Sequence, residues 1–254
     1  MPSSIVTVIP VYNHPDTMGD MLRGVLGAGL DCILVDDGSD AACARVMDAL
    51  VQQYAPRAML VRLPVNEGKG GAMMAGMRYA ATCGFSHVLQ IDADGQHATG
   101  DIPKFAELAR QHPDAMICGA PSYDASVPKA RLYGRYATHV WVWINTLSLD
   151  IKDSMCGFRV YPLKAALRAI DSARIGKRME FDSEVLVRMH WQGVPFVTQL
   201  TRVTYPQDGL SHFRVLRDNV LISGMHARLF AGMLLRSPVL LARKLTGGRR
   251  GAGA

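Results

Sequence analysis

Residues 88–97 read V-L-Q-I-D-A-D-G-Q-H, and this stretch contains the pattern on which the fold depends. The apolar run at 88–91 is typical of a strand buried on both faces, and it ends in the carboxylates of Asp92 and Asp94. Three earlier apolar runs end in the same way, each in a polar cluster: 4–10, 32–35 and 59–63. Residues 116–118 form a fifth apolar run.

Helical patterns separate these apolar runs. They lie at 17–26, 41–53, 71–82 and 102–111. Strands that alternate with helices predict βαβ units and therefore an α/β fold, with a Rossmann-like, mostly parallel sheet flanked by helices. At 254 residues the chain can form this sheet around one sizeable core.

The polar clusters that end the first four runs predict a binding site. They are 12–14, 36–39, 66–69 and 92–97. In an open parallel sheet, ligands bind outside the carboxyl ends of the strands. Polar turns are common and would explain any one cluster, but four successive clusters at one sheet edge favour a ligand site.

The D-A-D sequence at 92–94 predicts a metal site. Asp92 and Asp94 are two residues apart on extended chain, so their carboxylates project to the same side. Mg²⁺ or Mn²⁺ takes such oxygen ligands when a substrate diphosphate and water complete its shell. A calcium-binding loop would need Gly and Glu where this chain has His97 and Pro103.

Residues 66–71, N-E-G-K-G-G, do not match the common nucleotide-binding loops. A P-loop would need Ser or Thr after Lys69, and Gly70 stands there. A dinucleotide-binding fingerprint would follow the first strand, whereas this cluster follows the third. The glycines favour close approach of a helix N-terminus to backbone or phosphate. Lys69 is either a phosphate contact or a solvated surface residue.

The distribution of charge along the chain and the spacing of its cysteines narrow the classes of protein to which it can belong. From Gln199 to the end there are nine Lys or Arg residues and two Asp, whereas the whole chain has a net charge of +6. The basic character therefore belongs to the tail, and no recognition motif for nucleic acid accompanies it. Five scattered cysteines predict free thiols in a reducing cytoplasm. A short apolar N-terminus without a basic lead predicts no signal peptide.

Five ordered motifs resemble family-2 glycosyltransferases, and most of all the dolichol- and polyprenyl-phosphate glycosyltransferases. They are V-I-P-V-Y-N, V-D-D-G-S, N-E-G-K-G-G-A, I-D-A-D-G-Q-H and C-G-F-R. The resemblance covers about residues 5–212. It implies a GT-A fold, a divalent cation, inversion at the anomeric carbon and a nucleoside-diphosphate-sugar donor. The donor-binding residues that it implies are Pro10, Tyr12, Asp36, Asp37, Lys69, Asp92, Ala93, Asp94, Gln96, Arg202, Ser211 and His212.

The resemblance assigns the acceptor side to the second half of the chain. Residues 153–159 match a D-x-x-x-G-F-R segment that closes over the sugar, and residues 177–182 match a stretch before a helix. Residues 205–212 resemble a mobile loop over the donor phosphates. His14 and His212 depart from the family pattern. The catalytic residues expected here are Asp153, Glu180, Asp182, Arg131 and Arg135, and Lys129 shares the helical spacing of the two arginines.

The acceptor itself stays open at this stage. A polyprenyl phosphate is already anionic and needs no general base. A hydroxyl acceptor, such as a pigment or glycolipid, needs a carboxylate within hydrogen-bond reach. Asp153 is the first candidate for that base, followed by Glu180 and Asp182.

The tail suggests a membrane surface. Residues 220–245 are apolar, but charged residues and Pro238 interrupt them, so they lack the roughly 18 uninterrupted apolar residues of a spanning helix. A basic amphipathic helix at the inner face of the cytoplasmic membrane fits this pattern. Alternatively, Leu229, Met233, Leu234 and Leu240 cover the domain's own core or a dimer interface.

These observations define a domain division and two other function classes. We expect a catalytic domain at 1–219, divided into a nucleotide-sugar half (1–119) and an acceptor half (120–219), and a membrane-associating tail at 220–254. A nucleotidyltransferase would carry a glycine-rich basic loop after the first strand, where this chain has P-V-Y-N. A catalytically degenerate nucleotide-binding module would not need both Asp92 and Asp94. Nucleobase, sugar and oligomeric state are not determined by the sequence.

Overall fold

The computed structural model describes residues 3–122, 129–203 and 215–247, with the side chains of 135–203 and 216–245 in the last two segments. Seven strands lie in these segments: β1 (Ile5–Val11), β2 (Asp31–Asp36), β3 (Ala58–Arg62), β4 (His87–Gln90), β5 (Met116–Ser122), β6 (Arg159–Pro162) and β7 (Phe196–Arg202). Eight α-helices accompany them: α1 (Pro15–Gly27), α2 (Ala41–Tyr54), α3 (Lys69–Thr82), α4 (Ile102–Gln111), α5 (Lys129–Thr146), α6 (Leu163–Asp171), α7 (Phe181–Trp191) and α8 (Val215–Gly247).

All seven strands form one sheet in the order β3-β2-β1-β4-β6-β5-β7. The pairs β1–β2, β1–β4, β2–β3 and β5–β7 are parallel, whereas β6 is antiparallel to both of its neighbours. The predicted mostly parallel α/β sheet is therefore confirmed. From β1 the chain moves outward to β2 and β3 and then returns to place β4 on the other side. The crevice for a ligand accordingly opens between the ends of β1 and β4.

The local sequence explains where several helices begin. Pro15 occupies the first turn of α1, where its missing N–H costs nothing. The Asp40 side chain accepts a hydrogen bond from the Cys43 amide and so caps α2. Gly68, at φ 95°, precedes α3, and Gly76 lets that helix lie on the sheet, because a Cβ there would come within 2.5 Å of Val8.

Two apolar clusters fill the two faces of the sheet. The first gathers α3, α6 and α7 with Met225 and Leu229 of α8, and the second gathers α1, α2 and α4. Helix α3 is buried on nearly all sides, which explains why it consists mainly of small and apolar residues. Both clusters pack against the sheet and so fix β1, β2 and β4, whose carboxyl ends lie at the same edge of the sheet.

Helix α8 crosses the expected domain boundary. It begins at Val215, so the division at 219/220 falls inside one continuous helix. Met225, Leu229, Met233 and Leu240 are buried, and α8 packs on α5 and α7. Leu234, which was expected with them, is more than half exposed. Within the described residues, no helix is long and apolar enough to cross a membrane.

Candidate functional site

The ends of β1 and β2 meet at two neighbouring carboxylates, Asp36 and Asp37, which have different surroundings. Asp36 accepts hydrogen bonds from the Ser39 amide and from Arg62 at 2.8 Å each. Asp37 accepts the amides of Glu67 and Gly68 at 2.7 and 2.9 Å. Asp36 therefore fixes the turn after β2, and Asp37 ties that turn to the loop before α3.

Burial is the largest influence on the pKa of Asp37. It raises the pKa of this carboxyl, while the two amide hydrogen bonds lower the pKa by less. Its amide donates to the Val11 carbonyl at 2.9 Å, which places Asp37 at the end of β1, where Val11 stands between Pro10 and Tyr12 in the sequence. The predicted donor residues of the first two strands thus lie at one edge of the sheet.

Asp92 and Asp94 follow β4 on the other side of the crevice. The Gln96 amide donates to Asp94 at 3.0 Å, and Thr17 donates to the Ala93 carbonyl, so the loop is held from α1. A Cβ at residue 157 would collide with the Asp92 carboxylate, so the C-G-F-R segment needs its glycine there. Residues 92–96 and the 153–159 segment are therefore in contact.

The two carboxylates have opposite pKa shifts. Burial alone would raise the pKa of Asp92, but Lys69 and His97 lower it below its ordinary value. Burial and the charge of Asp92 raise the pKa of Asp94. A cation between the two would relieve this repulsion and keep both carboxylates ionised. No group of three or more His, Cys, Asp or Glu able to hold a metal ion occurs among the described residues.

Lys69 joins the two halves of the site. Its Nζ lies 2.8 Å from Asp92 and 2.7 Å from Asp182, and its side chain is only 16% exposed. Burial would lower the pKa of Lys69, but the two carboxylates raise it. Lys69 is therefore not the solvated surface residue of the alternative hypothesis.

Arg159 was not among the residues assigned a role from sequence, although it stands in the matched C-G-F-R motif. It is fully buried at the start of β6. Its guanidinium donates to the backbone carbonyls of Asp182 and Ser154 at 2.7 and 2.8 Å and contacts the Asp182 carboxylate at 3.4 Å. Gln90 and Tyr161 extend this network. Its place in the C-G-F-R motif was the signal that the sequence offered.

Asp153 lies where α5 approaches the 153–159 segment. Arg135 binds its Oδ2 at 2.6 Å, and His139 Nε2 lies 3.3 Å from the same oxygen. Burial would raise the pKa of Asp153, but His139 and Arg135 lower it well below its usual range. Sequence reasoning missed His139, whose second ring nitrogen lies 3.2 Å from the Ser154 hydroxyl.

Glu180 and Glu184 have different surroundings near the start of α7. Glu180 Oε2 is buried and has no hydrogen-bond partner among the described residues. Glu184 is fully buried and binds Arg188 at 2.7 Å and Arg228 of α8 at 3.5 Å. The acceptor half of the site is thus linked to α8 through α7.

Some of the predicted site residues are not seen in contact with this cluster. Arg202 is exposed at the end of β7. The side chains of Lys129 and Arg131, and residues Ser211 and His212 with the whole loop at 205–212, lie outside the described residues.

The architecture defines a class of protein first. The chain resembles the crystal structure of glucosyl-3-phosphoglycerate synthase from Mycobacterium tuberculosis, with a TM-score of 0.61, 15% identity and coverage of 92% of this chain and 80% of that one. At this identity the likeness shows the fold, which is GT-A-like. The model of glycosyl transferase family 2 matches residues 6–170, and the chain belongs to that family. It is a glycosyltransferase, as its motifs predicted.

Two curated relatives add detail. The dolichyl-phosphate beta-glucosyltransferase of Dictyostelium discoideum is 26% identical over 210 residues, which cover 74% of this chain. The UDP-N-acetylglucosamine–dolichyl-phosphate N-acetylglucosaminyltransferase of Methanococcus voltae is 25% identical over 199 residues, covering 72% of this chain and 78% of that protein. The chain spans 62% of the length of the Dictyostelium relative.

Proposed function

We propose that this enzyme transfers a sugar, with inversion, from a nucleoside diphosphate to a lipid monophosphate, and that Mg²⁺ or Mn²⁺ assists. The observation that carries the proposal is that the loop before α3 links Asp37 to Asp92 at the carboxyl edge of the sheet, since Asp37 accepts the Gly68 amide and Lys69 binds Asp92. The 153–159 segment, which contains Asp153, contacts Asp92 at Gly157. Ligands of open α/β sheets bind in the crevice at this edge.

The donor side follows from the strand ends. Pro10, Tyr12 and Asp37 would hold the base and ribose, while Asp92 and Asp94, with Gln96 nearby, would hold the cation and diphosphate. The two carboxylates fit Mg²⁺ or Mn²⁺, because such ions combine one or two carboxylates with substrate phosphates and water and because a cation would offset the burial and the Asp92 charge that raise the pKa of Asp94. The bound cation would supply stabilisation of the charge that develops on the leaving diphosphate. Lys69 holds Asp92 in place for that role.

The acceptor side favours a nucleophile that arrives already anionic. Asp153 is a weak proton acceptor, since Arg135 and His139 stabilise its charged form and lower its pKa. Asp182 is ion-paired with Lys69 and Arg159. A phosphate oxygen needs no base, and the names of the curated relatives point to lipid phosphates as well.

Glu180 supports a second candidate function, transfer to a hydroxyl. Its Oε2 is buried without a partner in the described part of the chain and would accept a proton from an alcohol. Measuring product with an alcohol acceptor in a Glu180→Gln variant separates the two functions, since only hydroxyl transfer needs this carboxylate.

We also propose that the enzyme is peripheral at the inner face of the cytoplasmic membrane, and helix α8 supports this location. On the side away from the core it exposes Leu234, Leu235, Val239, Leu241 and Leu245. The same helix carries the exposed cations Arg236, Arg243 and Lys244, of which the two arginines contact Trp191 of α7. A basic, apolar-faced helix binds anionic interfaces.

A donor screen tests the reaction. The protein is titrated with UDP, GDP, CDP, dTDP and their sugars, with and without Mn²⁺ or Mg²⁺, while thermal stability and nucleotide release are followed. We expect one nucleotide to give a metal-dependent stabilisation that Asp92→Asn and Asp94→Asn abolish. Asp171→Asn, an exposed carboxylate on α6, is the matched control. A full response in both site variants would overturn the metal assignment.

Vesicle sedimentation tests the location. Leu235→Asp with Val239→Asp should release the protein from anionic vesicles, and Leu200→Asp, an equally exposed apolar residue on β7, should not. Unchanged binding by the α8 double variant would exclude α8 as the membrane contact.

A further inference from the structure

Helix α5 carries an exposed apolar stripe that the proposed chemistry does not use. Tyr136, Val140 and Ile144 recur every four residues on one helical face and are 58%, 44% and 37% exposed. Trp143 continues this face, and Leu147 directly follows the end of the helix. The Trp143 indole is fixed by donating to the Ile151 carbonyl at 2.8 Å. These five residues are called the α5 stripe below.

The far end of the α5 stripe opens into a cleft. Its volume is about 370 Å³, and all residues of the stripe except Tyr136 line it together with Leu149, Leu241 and Lys244. The walls are mainly apolar, and the single cation belongs to α8. A cleft of this size accepts a segment of hydrocarbon chain but not a folded peptide element.

The near end of the α5 stripe adjoins the acceptor side of the active site. Arg135, which binds Asp153, immediately precedes Tyr136, and His139 lies one turn further along the helix on the side that faces Asp153. At a rise of 1.5 Å per residue, Arg135 and Leu147 are about 18 Å apart along the helix axis. A cation therefore stands at one end of a continuous apolar track and a cleft at the other.

We propose that the α5 stripe and its cleft bind the hydrocarbon chain of the lipid monophosphate acceptor, with the phosphate at the Arg135 end. This inference rests on the proposed function and names the binding track for its acceptor. A ligand with one anionic end and a long apolar chain matches the order of groups along α5. The chain lies against Tyr136, Val140 and Ile144 and ends between α5 and α8.

The test is isothermal titration calorimetry with prenyl monophosphates below their micelle concentrations. Geranylgeranyl phosphate reaches along the stripe, whereas geranyl phosphate covers only its first part. We expect the longer ligand to bind at least about tenfold more tightly, because each additional buried methylene adds to affinity. Val140→Asp and the milder Ile144→Ala should remove most of this difference. Leu200→Asp is the matched control, and melting curves check that each variant folds.

Three results would overturn the proposal. They are affinity that does not depend on chain length, stripe variants that bind geranylgeranyl phosphate as the unaltered protein does, and stripe variants that change only the sedimentation coefficient. The last would assign the stripe to contact between copies of the chain. The nucleotide screen separates the two proposals: metal-dependent nucleotide binding without chain-length dependence contradicts only the track. Chain-length dependence without any nucleotide response supports the track and contradicts the transfer reaction.

Discussion

Asp37 and Asp94, in the N-terminal half of the site, are held by hydrogen bonds from nearby backbone amides, whereas Asp153 and Asp182, in the C-terminal half, are paired with cations from other elements. Asp37 accepts two amides of the loop before α3, and Asp94 accepts the amide of Gln96. Asp153 is bound by Arg135 in addition to two nearby amides, and Asp182 is bound by Lys69, which is 113 residues away.

The two arrangements respond differently to substitution. Losing a carboxylate that accepts backbone amides leaves neutral N–H groups without an acceptor, which costs about 1–3 kcal/mol. Removing one member of a buried ion pair leaves its partner charged in a medium of low dielectric, which costs about 3–5 kcal/mol. We therefore expect the C-terminal half to be the more sensitive of the two.

Replacing Arg159 should have the largest effect. Arg159→Leu leaves two buried carbonyls without their donor and removes one of the two cations paired with the Asp182 carboxylate, so the free energy of unfolding should fall by about 4 kcal/mol. Urea denaturation measures it. Arg78→Leu removes an arginine whose pair with Asp171 is half exposed, and should cost less than about 1 kcal/mol. Equal losses would contradict the proposed contrast.

Asp153→Asn should follow, with a loss of about 3 kcal/mol at pH 7. Because the pKa of Asp153 is lowered in the folded protein, its stabilisation is present above the unfolded value of about 3.9 and is lost as the pH falls through the folded value. The stability difference between the variant and the unaltered protein should therefore shrink below about pH 4. A difference that stays constant down to acid pH would show that the charge of Asp153 is not involved.

Gly68→Ala tests the loop that Asp37 holds. At φ 95°, a Cβ there would come within 2.7 Å of both the Arg178 side chain and the Lys177 carbonyl. The loss should be about 2–3 kcal/mol, combining backbone strain with the clash. Gly84→Ala has a similar φ of 81° but no atom within 4 Å, so it should cost only the strain, about 1 kcal/mol. Equal losses of unfolding free energy at both positions would show that crowding around Gly68 does not contribute.

Asp40→Ala should have the smallest effect, about 1 kcal/mol, because it removes one amide acceptor at the start of α2. Thermal unfolding measures this loss. A loss as large as that of Asp153→Asn would contradict the difference between the two halves.

The first half of the fold was predictable from local patterns. Predicted strand and helix bounds agree with the structure to within two residues, except that β5 extends to Ser122. Apart from the edge strand β3, which is only partly buried, each apolar run is both a strand and a buried segment, so its pattern and its position have one cause. The helical spacing of Lys129, Arg131 and Arg135 is found in α5, and the helix expected after the 177–182 stretch is α7. Strands β6 and β7 were not predicted, since R-V-Y-P and a half-exposed edge strand give no clear periodicity.

The sequence by itself determined the family, the α/β class and the edge of the sheet at which Asp37, Asp92 and Asp94 lie. These features depend on short runs of residues whose neighbours along the chain decide their conformation. Only the tertiary structure decided that Lys69 binds Asp182, that the buried Arg159 also contacts Asp182 and that His139 faces Asp153. It also decided that α8 is part of the core while exposing apolar residues on its other side. Such pairings join residues far apart in sequence, and a charged residue has the same local pattern whether its partner is water or a buried carboxylate.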